Sequence, residues 1–110
     1  AQIEAALQKE AEAVRKHLGK NTWLCVFTPE GKLLSSPALS EKLSAVRAGG
    51  KSDLTFLIGS SFGIHESLKR QGDFLLSVSP MTFPHHLFRV MALEQIYRAE
   101  SIAAGGKYHK

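Results

Sequence analysis

Apolar residues recur along the chain first at helical spacing and then in short continuous runs. Ile3, Leu7, Ala11, Val14 and Leu18 share one face at 3.6 residues per turn, and Glu and Lys occupy the others. This predicts an amphipathic helix with Gly19 as its C-terminal cap. Trp23-Leu24-Cys25-Val26-Phe27 is too short for a helix and is closed by Thr28-Pro29-Glu30-Gly31, the pattern of a buried strand and a turn. Ser35-Ser36-Pro37 supplies a cap and a proline at the first helical position, ahead of Leu39, Leu43, Val46 and a stop at Gly49-Gly50. A second buried strand is predicted from Leu54 to Ile58, leading into the glycine loop Gly59 to Gly63 and a short helix near His65 to Gln71. Phe74 to Val78 reads as a third strand. Thr82-Phe83-Pro84 then opens a long helix to about Ala103, ended by Gly105-Gly106.

Buried strands alternating with helices predict an α/β domain, a parallel sheet covered by helices on both faces. In such sheets ligands bind beyond the carboxyl ends of the strands. The last helix carries Leu87, Phe88, Val90, Met91, Leu93, Ile96, Tyr97 and Ile102 around most of its circumference. One sheet layer in a small domain cannot bury every side of it, so a homodimer packed through this helix is expected. Glu94 and Arg98, four apart, suit an ion pair on the remaining face.

The 110 residues fit one domain, read as 1–110, and no apolar run approaches the roughly 20 residues of a bilayer span. No membrane partner is therefore expected. A formal charge of +4, scattered along the chain, favours a polyanionic partner without demanding one. Cys25 is the only cysteine, which rules out an internal disulfide or a Cys-based zinc site and suits the cytoplasm. Histidines 17, 65, 85, 86 and 109 form no recognised metal spacing. His85 and His86, adjacent in one helical turn, point about 100° apart and chelate poorly. No metal is expected, and no G-x-S-x-G elbow is present.

Two segments could carry chemistry. The loop Gly59 to Gly63 is neither a Lys-containing phosphate loop nor a three-glycine dinucleotide fingerprint, and reads equally as a tight turn or a ligand loop. The stretch from Ser77 to His85 joins the third strand to the last helix. It is either a plain connector with Thr82 as helix cap or a loop whose backbone hydrogen-bonds a flat ligand.

Several strings are specific. Gly31-Lys32-Leu33-Leu34-Ser35-Ser36, Ile58-Gly59 with Gly63, Ser79-Pro80-Met81-Thr82-Phe83-Pro84-His85, Arg89-Val90, Leu93-Glu94-Gln95-Ile96-Tyr97-Arg98-Ala99 and Tyr108-His109-Lys110 occur in order across nearly the whole chain. Together they resemble the RlmH family, SPOUT-class methyltransferases of pseudouridine N3 in 23S ribosomal RNA of the assembled ribosome. The resemblance implies a C-terminal trefoil knot, an exception to the rule against knots. It implies S-adenosyl-L-methionine bound at Phe27, Gly59 and the loop Val78, Ser79, Pro80, Met81, Thr82 and Phe83. It further implies a homodimer whose active site uses both subunits, with ribosomal RNA as substrate.

On that resemblance, Tyr108 and His109 of the tail approach the target nucleotide, His109 as candidate base. Arg89, Lys107 and Lys110 would meet phosphates. Arg89 reads equally as a structural ion-pair partner, and the tail as a disordered end. The family usually carries a strand, a helix and another strand before the helix that here begins at Ala1, so the chain is expected to be a shortened SPOUT domain. Phe27 stands where leucine is common, Ser60 where glycine is, His86 where glutamine is, and Lys107 where proline often precedes tyrosine. Two functions follow: an active methyltransferase, or a knotted homodimeric remnant that keeps the fold without the activity.

Overall fold

The computed structural model describes residues 2–59 and 63–109. Its elements run α1 (Gln2–His17), β1 (Thr22–Leu33), α2 (Ser36–Ala48), β2 (Asp53–Leu57), α3 (Glu66–Gln71), β3 (Phe74–Ser77) and α4 (His85–Ala103). The strands form one parallel sheet in the order β2-β1-β3, in line with the α/β expectation. Thr22 to Val26 pair with Asp53 to Leu57, and Cys25 to Phe27 pair with Phe74 to Leu76. Asp73 sets the second register: its backbone N–H donates to the Leu24 carbonyl and its carboxylate accepts from the Leu24 N–H, both at 2.8 Å.

The pleat of β1 explains why its apolar run is continuous. Alternate side chains point to opposite faces, and both faces are covered. Trp23, Cys25 and Phe27 pack with Leu39 and Leu43 of α2, Leu76 of β3, and Ala92 and Ala99 of α4. Leu24 and Val26 are buried on the other face, where Val26 lies against Gly72 at the end of α3. Cys25 sits inside this core, and burial pushes its thiol up to about 12, in keeping with a core residue and not a nucleophile.

Helix α2 is capped as anticipated, with Ser35 Oγ accepting from the Ala38 N–H at 3.1 Å and a proline in the first turn. It is clasped to α4 by the Arg47–Glu100 fork at 2.8 and 2.6 Å. On the opposite face, α1 buries Ala11 and meets the α3 region through Arg15 with Gln71 and Ser67, and through Glu4 with His65.

Three local expectations need correction. Gly19 has no left-handed backbone; its missing side chain instead leaves room for the Asp53 carboxylate. Helix α4 starts at His85 with Pro84 as N-cap and no side-chain cap bond, so Thr82 is not the cap and Pro84 is not the first helical residue. Strand β1 does not end at Phe27. Both Phe27 and Lys32 stand opposite Leu76, so residues 28–31 bulge out of the ladder before pairing resumes at Lys32 and continues with Leu33 opposite Ser77.

Candidate active site

The β1 bulge meets the ends of the other two strands. Phe27 to Glu30 lie at that bulge, Gly59 follows β2, and Val78 follows β3; with the loop down to Pro84 and the first turn of α4 they line a cavity of about 400 Å³. That volume is in the range of small-molecule and cofactor sites, ~300–1,000 Å³. Its position beyond the carboxyl ends of a parallel sheet is where such folds bind ligands.

Phe27, Val78, Met81, Phe83 and Phe88 make the apolar wall. Phe88 meets Phe27 edge to face with centroids 5.9 Å apart, which fixes that wall from α4. Gly59 is held close by its neighbours: a side-chain carbon there would fall 2.6 Å from Ile64 Cγ1 and 2.8 Å from the Gly63 carbonyl. Gly63 itself has a φ of +96°, which only glycine adopts freely. Residues 60–62 of this loop, Ser60 included, lie outside the described residues. The segment after β3 is shaped by its own serines. Ser77 Oγ donates to the Ser79 carbonyl and Ser79 Oγ accepts from the Met81 N–H, both at 3.0 Å, which sets the course of the loop from 77 to 81 beside the cavity.

The opposite side of the cavity is polar. Glu30 and Lys69 form an ion pair at 2.5 Å that ties the β1 bulge to α3. The Lys69 ammonium, helped by the nearby Thr28 hydroxyl, holds the Glu30 carboxyl down at about 2, so the group stays anionic. Thr28 is 3% exposed, and its Oγ1 is buried with no partner in hydrogen-bond geometry among the described residues.

Among the cofactor residues expected from the sequence, Phe27, Gly59, Val78, Ser79, Met81, Thr82 and Phe83 all line this cavity; Pro80 does not. His85, the last residue of the candidate loop, also lines it, as do Thr28, Glu30, Ile64, Lys69 and Phe88, which the sequence did not single out for a ligand. The only signal for Thr28 and Glu30 was their place after a strand end; Lys69 and Phe88 had none, because tertiary packing alone carries them there.

The catalytic candidates lie elsewhere on the chain. The tail folds back over the far part of α4, where the Tyr108 hydroxyl donates to Glu94 at 2.8 Å and the Tyr108 ring packs edge to face on Tyr97 at 4.9 Å. Arg98 pairs with Glu94 at 2.9 Å, stacks over Tyr108, and lies 3.0 Å from His109 Nδ1. A guanidinium can only donate, so in this arrangement Nδ1 accepts and a neutral ring keeps its proton on Nε2. At 1.5 Å per residue, Glu94 and Arg98 stand roughly 14–20 Å along the helix from His85 at the cavity. Arg89 is exposed on α4 and makes no ion pair among the described residues. Lys110 lies outside the described residues.

The outward surface of α4 also carries an apolar stripe. Leu87, Val90, Leu93 and Tyr97 are exposed, Val90 at 64% and Leu93 at 59%, over roughly a third of the circumference opposite the buried Ala92 and Ala99. Among the described residues no group of His, Cys, Asp and Glu could hold a metal ion, and no helix is long and apolar enough to cross a membrane.

Residues 1–109 match the family described as "Predicted SPOUT methyltransferase", and the chain belongs to that family. Within it, the chain is similar to proteins named ribosomal RNA large subunit methyltransferase H. The protein of that name from a Ruegeria species is 41% identical over 106 residues, covering 96% of this chain and 68% of the relative. That from Caldicellulosiruptor bescii is 46% identical over 108 residues, 98% of this chain and 70% of the relative. That from Desulforamulus reducens is 44% identical over 107 residues, 97% and 67%. The chain spans about two thirds of the length of its relatives, between 65% and 70%.

Proposed function

We propose that this chain is an S-adenosyl-L-methionine-dependent methyltransferase acting on pseudouridine N3 of 23S ribosomal RNA in the assembled ribosome. The observation that carries the reading is the convergence of the β1 bulge and the residues after β2 and β3 on one cavity in a chain of the SPOUT family. The residues fit the cofactor. An aromatic and aliphatic wall suits a flat base, the crowded Gly59 lets backbone approach closely, and the polar side can meet hydroxyl or ammonium groups. When bound, S-adenosylmethionine supplies an electrophilic methyl on sulfur. The chain's work is to position the two reactants, exclude water and help remove the ring-nitrogen proton.

Phe27, Gly59 and residues 78–83 hold the cofactor, with the C-terminal segment forming a trefoil knot around it. Residues 1–110 act as one SPOUT domain in the cytoplasm, paired as a homodimer through α4. The exposed stripe Leu87, Val90, Leu93 and Tyr97 supports this pairing, since an apolar face of that width is costly in water. A two-fold, antiparallel pairing of α4 would carry the tail of the second copy toward the cavity at the helix start, which the tail cannot reach along its own helix. Arg89, Tyr108 and His109 then serve the RNA side. His109 takes the proton from the nucleotide once its Nδ1 is released from Arg98, and Arg89 meets phosphate, the contact that dominates RNA affinity.

Calorimetric titration with S-adenosylmethionine, beside the mass in solution, is the test. Saturable binding by a dimer, followed by methyl transfer to ribosomes detected by nucleoside mass spectrometry, is the expected result. A folded dimer without binding would leave only the remnant that retains the fold without the activity.

A further inference from the structure

The polar side of the cavity holds one buried group without a hydrogen-bond partner among the described residues. Thr28 lies in the β1 bulge, 3% exposed, with Oγ1 outside hydrogen-bond geometry to every described residue, Glu30 included. A buried hydroxyl left in this state costs roughly 1–3 kcal/mol, so chains seldom keep one for packing alone, where valine has the same shape. Two residues on, Glu30 is anionic and pinned by Lys69 at 2.5 Å, and all three residues line the same cavity. The corner therefore presents one group that can donate or accept beside one that only accepts.

Resting on the cofactor assignment above, we propose that this corner is the sugar subsite: Thr28 pairs with one ribose hydroxyl of the bound cofactor, and Glu30, held by Lys69, accepts from the other. A vicinal diol offers two O–H donors and two acceptors on adjacent carbons, which matches a hydroxyl beside a carboxylate. The apolar wall of Phe27, Val78, Met81, Phe83 and Phe88 then takes the base.

The test separates a ligand-facing hydroxyl from a structural one. Thr28→Val keeps the shape and removes the hydroxyl; Thr28→Ser keeps the hydroxyl. Titrations would use S-adenosylhomocysteine and its 2′,3′-dideoxy analogue, with thermal melting of the ligand-free variants. Thr28→Val is expected to weaken S-adenosylhomocysteine binding about tenfold, the size of one lost hydrogen bond. Thr28→Ser should bind like the parent, the dideoxy analogue should bind parent and Thr28→Val alike, and the ligand-free melting midpoint should not fall in Thr28→Val.

Equal binding of S-adenosylhomocysteine by Thr28→Val overturns the assignment. So does a tenfold loss that persists with the dideoxy analogue. A lower melting midpoint of ligand-free Thr28→Val would show the hydroxyl to be partnered within the chain, which overturns it as well. Failure of the parent chain to bind S-adenosylhomocysteine or S-adenosylmethionine at all would instead sink the methyltransferase reading, and the sugar subsite with it.

Discussion

Gly31 shows how one residue can hold a site open. A side-chain carbon at this position would fall 2.7 Å from the Leu75 carbonyl carbon and the Leu76 nitrogen, backbone atoms of β3 that cannot rotate aside. The chain returns from its bulge through this contact to pair Lys32 with Leu76. Gly31→Ala should therefore push β1 and β3 apart at the cavity, with a stability loss of about 1–3 kcal/mol, the usual cost of forcing atoms into a packed place. A chemical denaturation midpoint equal to that of the parent would show that the strands yield freely. Gly31 was legible in the sequence as a turn glycine, but not as a contact with β3. Its neighbour across the bulge, Leu75, lies far along the chain, and no local pattern encodes that approach.

At the scale of elements, the correction to β1 matters most. The apolar run ends at Phe27, so a period-based reading stops the strand there; pairing with β3 resumes at Lys32 because the sheet supplies a partner for polar residues too. The excursion between is tied to α3 by Glu30 and Lys69. The Glu30 carboxyl titrates at about 2 in the fold, against an ordinary 4.5, because of its bond to Lys69 and the nearby Thr28 hydroxyl. A carboxyl whose pKa is lower when folded stabilises the fold fully above about 4.5 and loses that contribution as the pH falls toward about 2. Glu30 is largely exposed, so screening keeps the effect small. The melting midpoint of the parent should thus drop more steeply between about pH 5 and pH 2 than that of Lys69→Met. Parallel curves would mean that the pair contributes nothing measurable. Helix α4 was legible in extent, but its start moved to His85 because Pro84 takes the capping position without any side-chain bond.

For the whole molecule, the decisive surface is the outward stripe of α4. Its inner face is made close-fitting by Ala92 and Ala99, which leaves the larger Leu87, Val90, Leu93 and Tyr97 pointing to solvent in a single chain. Leu93→Glu would place a charge in the middle of the proposed pairing surface, and burial of an unpaired charge is strongly unfavourable. Light scattering should then report one chain per particle in place of two, with the helical circular dichroism signal retained. A variant that stays dimeric would move the interface elsewhere.

The alternation of strand and helix, the core face of β1 and the two candidate loops after β2 and β3 were set by the sequence, because hydrophobic period, short apolar runs and glycine placement are local signals. Resemblance added the family. Tertiary structure alone decided the rest: the order β2-β1-β3, the polar corner of Thr28, Glu30 and Lys69, and the course of the tail over Glu94 and Arg98. The physical reason is the same in each case. These features depend on which distant segments become neighbours when β1 buries both its faces, and side chains far apart in the chain carry no local mark of that meeting.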